Sequence, residues 1–117
     1  MRSITAVIIE NETDSLQKLK QFSLENNLII EVISFSNNIK ESIEIIKDLK
    51  PELIFINSTE ENFENYNLFL ELDFNLPKMV FMSNELKFAY KAVKLNAVDF
   101  LLKPLNVNDF IIAIYKA

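Results

Sequence analysis

Apolar and polar positions follow two rhythms along this chain, and the chain switches between them repeatedly. Ile4 to Ile9 is a short, β-branched apolar run, which predicts a strand covered on both faces. Between Thr13 and Leu24 the apolar residues Leu16, Leu19 and Phe22 recur every three positions among Gln, Lys and Glu, the mark of a helix. Leu28 to Phe35 reads as a second strand. From Asn38 to Lys50 the stripe Ile39, Ile43, Ile46, Leu49 has helical period, Asn38 with Glu41 resembles a capping box, and Pro51 stops the helix. Leu53 to Ile56 is strand three. Phe63, Tyr66, Phe69 and Leu70 allow a third helix over Asn62 to Leu72, ended by Asp73 to Asn75. Pro77 opens a fourth strand, Lys78 to Met82. Asn84 can cap a fourth helix whose Leu86, Ala89, Tyr90 and Val93 face inward, with Asn96 as its left-handed C-terminal cap. Val98 to Leu102 is strand five, and Asn106 caps a last helix carrying Phe110, Ile111 and Ile114.

Five strands alternating with five helices predict an α/β fold, a doubly wound parallel sheet with helices on both faces, because parallel strands need right-handed crossovers. No internal repeat, low-complexity tract or linker interrupts residues 1–117, so a single domain is expected. In such a sheet function gathers at the carboxyl ends of the strands. Those ends are Glu10, Asn11 and Glu12 after strand one, Asn57 after strand three, Ser83 after strand four and Lys103 after strand five.

Composition narrows the chemistry available there. A chain of 117 residues, 50% hydrophobic and 25% charged, can bury one core. It has no Cys and no His, which excludes disulfides, Cys/His zinc sites and nucleophiles activated by imidazole. It has no Gly, so a Gly-rich phosphate cradle cannot be built. Left-handed turn positions fall instead to Asn, which occurs 14 times, as at Asn26-Asn27, Asn37-Asn38, Asn75 and Asn96. A net charge of −5 argues against gripping a nucleic-acid backbone, and Lys87, Lys91 and Lys94 read as one solvated helix face. No apolar run approaches the roughly 18 residues of a membrane span and no cleavable leader opens the chain, so a cytoplasmic location is expected.

The stretch "FAYKAVKLNAVDFLLKP", Phe88 to Pro104, with "KPELIFIN" and "PKMVFMS" around strands three and four, resembles the receiver domain of two-component response regulators. The likeness is to the subgroup that precedes LytTR-type DNA-binding domains, and it spans essentially all 117 residues. It implies a flavodoxin-like (βα)5 sheet in strand order 2-1-3-4-5. It also implies an acid pair and an Asp that hold Mg²⁺, the Asp taking a phosphoryl group from a histidine kinase, with a hydroxyl, an aromatic residue and a Lys completing the switch. Carried over by position, Glu10 and Asn11 fall on the acid pair and Asn57 on the phosphoacceptor. Ser83 falls on the hydroxyl, Phe100 on the aromatic and Lys103 on the lysine, followed by Pro104, for which the resemblance implies a cis peptide.

Two of the three expected acids are therefore amides, and the loop after the acceptor is replaced by "STEENFENYN". An amide oxygen is neutral, with lone-pair density committed to resonance, so Asn57 is not expected to accept phosphate. Mg²⁺ dehydrates reluctantly and needs carboxylate charge, so with Glu10 alone its binding is expected to be weak or absent, and no other cofactor is expected. Glu12 adds only long-range charge in this reading. Lys103, short of anions, is expected to be held by Glu10 with the Asn57 amide oxygen as a second acceptor. Ser83 caps the loop before the fourth helix or serves a switch, and Phe100 is core or switch; sequence alone leaves both pairs open. The leading expectation is a degenerate receiver that controls transcription without aspartyl phosphorylation. Its partners would be proteins, including a homodimer across the face of the fourth helix, fifth strand and fifth helix. DNA would be met only through an effector domain absent from these residues, which would form the N-terminal part of a longer regulator. The alternative is a stand-alone module that sequesters a kinase or another receiver. A hydrolase using Glu10, Ser83 and Lys103 is disfavoured, since a lysine base must shed its charge and Glu10 opposes that.

Overall fold

Successive side chains on a strand point to opposite faces, so a strand without polar interruption must be covered twice. The computed structural model, which describes residues 2–117, meets that demand with one parallel sheet. Its strands are β1 (Ile4–Ile9), β2 (Ile30–Ser36), β3 (Leu53–Asn57), β4 (Lys78–Ser83) and β5 (Asp99–Leu102), in the order β2-β1-β3-β4-β5. This is the doubly wound, flavodoxin-like architecture expected from the sequence. The helices are α1 (Thr13–Glu25), α2 (Ile39–Leu49), α3 (Glu60–Glu64), α4 (Asn67–Leu70), α5 (Ala89–Lys94) and α6 (Val107–Lys116).

The period of two is explicit in β1. Ala6 and Ile8 enter one core with Phe55, Val80 and Met82, closed by Leu19 of α1 and Phe110, Ala113 and Ile114 of α6. Val7 and Ile9 enter the other with Ile54, Ile56 and Phe81, closed by Ile39 and Ile46 of α2, Phe69 of α4 and Ala92 of α5. Phe110 stacks on Phe55 at 5.2 Å between ring centroids. Each such buried aromatic contributes roughly 1.5–3 kcal/mol by leaving water. Asn38 caps α2 by accepting from Glu41 N–H at 2.9 Å, and Asn106 caps α6 by accepting from Asp109 N–H at 2.9 Å.

Four expectations are corrected. Strand two begins at Ile30 and not at Leu28, because the Asn26 carbonyl accepts from both Ile29 and Ile30 N–H and turns Leu28 into solvent. The third helix is two short pieces, since Thr59 starts α3 early by accepting from Asn62 N–H and Asn65 ends it. Tertiary packing explains the apolar spacing that suggested one helix: Phe63 stacks on Phe81 at 5.1 Å and Phe69 is buried. The fourth helix, α5, has the wrong face predicted. A 3₁₀ turn over Leu86–Phe88 precedes it and shifts its phase, so that Phe88 and Ala92 are buried and Leu95 packs beside them, while Leu86, Tyr90 and Val93 are exposed. Finally, the left-handed residues among those described are Asn96, as expected, and Lys50, at φ 45°.

Candidate functional site

Parallel register brings the strand ends into one layer. Ile9 pairs with Ile56, Asn57 with Met82, and Ser83 with Leu102, so the residues that follow β1, β3, β4 and β5 share one end of the sheet. Two backbone bonds extend the layer past the strands, from Ser58 N–H to the Met82 carbonyl and from Lys103 N–H to the Ser83 carbonyl, both at 2.7 Å. Glu10, Asn57, Ser58 and Ser83 are all buried there, and each has to find a partner at this edge or be left costly.

Lys103 is the centre of the layer. Its Nζ lies 2.8 Å from Glu10 Oε1 and donates to Asn57 Oδ1 at 2.8 Å and to Glu12 Oε1 at 2.5 Å. The Lys103 side chain is 7% exposed and that of Glu10 0%, while that of Glu12 is 53% exposed. The other Glu10 oxygen, Oε2, accepts from the N–H groups of Asn11 and Glu12 at 3.1 Å each. Glu10 is thus tied on both oxygens. Glu12 corrects the expectation of long-range charge only: it is a direct ion-pair partner. Its carboxylate reaches back from the start of α1, two residues beyond Glu10, which composition and period do not reveal.

The amides form the other half of the layer. Asn57 Nδ2 donates to Asn11 Oδ1 at 3.4 Å, at the long end of the range. Asn62, which the sequence placed only as the start of a helix, is buried and works as a clamp. Its Nδ2 donates to the Asn57 carbonyl at 2.8 Å and its Oδ1 accepts from Ile39 N–H at 3.0 Å, joining the end of β3 to the start of α2. The Thr59-x-x-Asn62 spacing is the one sequence signal for it. Beside these amides lies a polar cavity of about 140 Å³ lined by Asn11, Asn37, Asn38, Asn57 and Asn62 with Thr59 and Glu61.

Ser83 Oγ accepts from Glu85 N–H at 3.0 Å, which ties down the loop before α5. Phe100 pairs in register with Phe81 on β4 and packs, half-buried, against the second core. The Lys103–Pro104 peptide is cis. Glu10, Asn11, Asn57 and Lys103 are therefore brought into one bonded set, with Ser83 joined to it through the Lys103 backbone and Phe100 outside it. The Lys87, Lys91 and Lys94 row is exposed on the α5 side of the molecule, away from these bonds. Among the described residues no helix is long and apolar enough to cross a membrane.

Sequence similarity runs nearly the whole length of the chain. An uncharacterized response regulatory protein of Shewanella oneidensis is 33% identical over 106 residues, 90% of this chain and 44% of that protein. The sensory transduction protein LytT of Bacillus anthracis is 24% identical over 88% of this chain and 42% of its own length. The chain thus spans under half the length of the curated relatives it matches. Among solved structures, the response regulator domain of Thermotoga maritima CheB superposes with a TM-score of 0.81 at 18% identity, covering 99% of this chain and 96% of that one. No family model matches the sequence.

Proposed function

We propose that this chain, by fold and sequence similarity a receiver domain of the response-regulator type, regulates through protein contacts and not by phosphorylation of its own strand-three residue. One observation carries the reading. At the address where the resemblance implies a phosphoacceptor Asp, the Asn57 amide is buried, with Oδ1 engaged by Lys103 and Nδ2 directed to Asn11. A neutral oxygen already accepting from an ammonium is a poor nucleophile toward phosphorus.

The residues present do not fit Mg²⁺. A hard cation of this size wants oxygen ligands with carboxylate charge. Both Glu10 oxygens are engaged, Asn11 and Asn57 are neutral, and the Lys103 ammonium stands among them as a competing cation. Lys103 supplies internally the positive charge that the Glu10 carboxylate requires.

The partner is met at the face of α5, β5 and α6, where Val93, Leu102 and Ile112 are exposed, with Leu86 exposed in the turn that leads into α5. Large apolar side chains clustered in solvent mark contact surfaces. Another receiver is the partner in view at this face; a histidine kinase is not needed. The acidic balance of the chain supports a domain that leaves DNA to a LytTR-type effector outside these residues, as the resemblance implies for a transcription regulator. Such regulation is a shift between conformations, biased by whatever binds one of them better.

The test is to incubate the protein with Mg²⁺ and acetyl phosphate, and separately with beryllofluoride. The expected result is no mass gain and no spectral change. A stable adduct on the unmodified protein refutes the reading.

A further inference from the structure

We infer that a second copy of this chain docks in the groove between α3–α4 and α5, a surface distinct from the face of α5, β5 and α6. The groove encloses about 540 Å³ and is walled by Phe63, Tyr66, Leu70, Tyr90 and Leu95. It is a product of the "STEENFENYN" segment: the break at Asn65 divides the third crossover into α3 and α4, and the groove lies between these pieces and α5. Leu70 and Tyr90 stand at its lips, 65% and 68% exposed.

The two walls carry opposite charges. Glu60 and Glu64 are one turn apart on α3, and Lys91 and Lys94 are three residues apart on α5, so each pair shares a helix face. The inner pair closes on itself: Lys91 Nζ is 3.4 Å from Glu60 Oε2 and 5.2 Å from the centre of the Phe63 ring. The outer pair is open. Among the described residues neither Glu64 nor Lys94 has an ion-pair partner, and the Lys94 ammonium rests over Tyr90 at 5.4 Å.

This arrangement is self-complementary in the sense an isologous contact requires. A two-fold axis laid along the groove carries the acidic wall of one copy onto the basic wall of the other. Glu64 of each copy then faces Lys94 of its mate, twice per dimer, while the Leu70 and Tyr90 lips meet between them. A second copy necessarily carries both complementary charges on the two walls of its own groove.

Sedimentation velocity over a concentration series into the millimolar range, at low salt, tests the inference. The chain is expected to dimerise, and Glu64→Lys or Lys94→Glu alone to weaken dimerisation by about tenfold or more, because each change sets two like-charge contacts in the dimer. The double variant Glu64→Lys/Lys94→Glu restores the complementarity and is expected to dimerise again. Ile112→Asp, on the other face, is expected to leave the dimer intact. Both charged residues are exposed, and unchanged circular dichroism checks that the variants fold. A chain that stays monomeric throughout, single reversals without effect, a double variant no better than the singles, or a dimer abolished by Ile112→Asp each overturns it.

Discussion

Removing the Lys103 ammonium isolates a nearly fully buried carboxylate. Glu10 would keep the two N–H bonds to Oε2 but lose the cation facing Oε1 at 2.8 Å. Breaking a buried pair by deleting one partner costs about 3–5 kcal/mol, mostly from the charge left behind. The layer lies at the end of the sheet, where water can follow the deleted side chain, so the lower figure, about 3 kcal/mol, applies to Lys103→Ala. With about 2.1 cal/mol/K of unfolding entropy per residue, a chain this long has about 0.25 kcal/mol/K, and the expected fall in Tm is about 12 °C.

Two companion variants separate the ion pair from mere packing. Glu12→Ala removes an exposed partner and is expected to cost under about 1 kcal/mol. Lys103→Met with Glu10→Gln removes both buried charges together and is expected to be less destabilised than the sum of its single changes, since neither charge is left unpaired. Thermal and urea unfolding followed by circular dichroism give all three. If Lys103→Ala melts within about 1 °C of the parent, Lys103 does not hold this layer and the argument for an internal cation fails.

Two further outcomes follow from geometry elsewhere. Lys50 ends α2 in the left-handed region at φ 45° immediately before Pro51, where a Cβ is unfavourable, so Lys50→Gly is expected to raise stability by roughly 0.5–1 kcal/mol in urea unfolding; a loss would show that its side chain contributes more than its backbone strain costs. Glu52 is held down to about 2, first by its hydrogen bond with Arg2 (2.6 Å to each guanidinium nitrogen), against an ordinary 4.5. Its folded value is depressed, so its contribution is fully present above pH 4.5 and is lost as pH falls toward 2. The 38% exposure of the Glu52 side chain keeps the effect small. Arg2→Ala is expected to lower the urea midpoint at pH 6 and to converge with the parent near pH 2; an unchanged gap would refute the assignment.

The sheet was legible because its determinants are local: β-branched runs such as Ile4–Ile9 and Leu53–Ile56 have no way to satisfy their apolar faces except between two helical layers. The site's address followed from topology, since strand ends converge whatever residues occupy them. What stayed hidden depends on phase and reach. The 3₁₀ turn at Leu86–Phe88 rotates α5, so an apolar stripe that looked inward points to solvent as Leu86, Tyr90 and Val93. Glu12 and Asn62 join the layer through side chains that fold back across the end of the sheet, toward Lys103 and toward the Asn57 carbonyl, and no spacing rule encodes a return of that kind.

The amides at positions 11 and 57 act on the same lysine-centred layer and are best understood together. Carboxylates at both places, beside Glu10 and Glu12, would put four anions around a single lysine and would need an outside cation to relieve them. An amide at 57 keeps an oxygen for Lys103, at 2.8 Å, and gains a donor, which a carboxylate lacks, to turn toward Asn11. Alanine at either place would have left the lysine or the cavity edge short of partners. The buried part of the layer then balances internally, Glu10 against Lys103, with Glu12 added from solvent. In the proposed reading, the Lys103 ammonium meets the Glu10 charge that a divalent ion would otherwise meet, and this is the physical reason offered for a layer that works without phosphorylation.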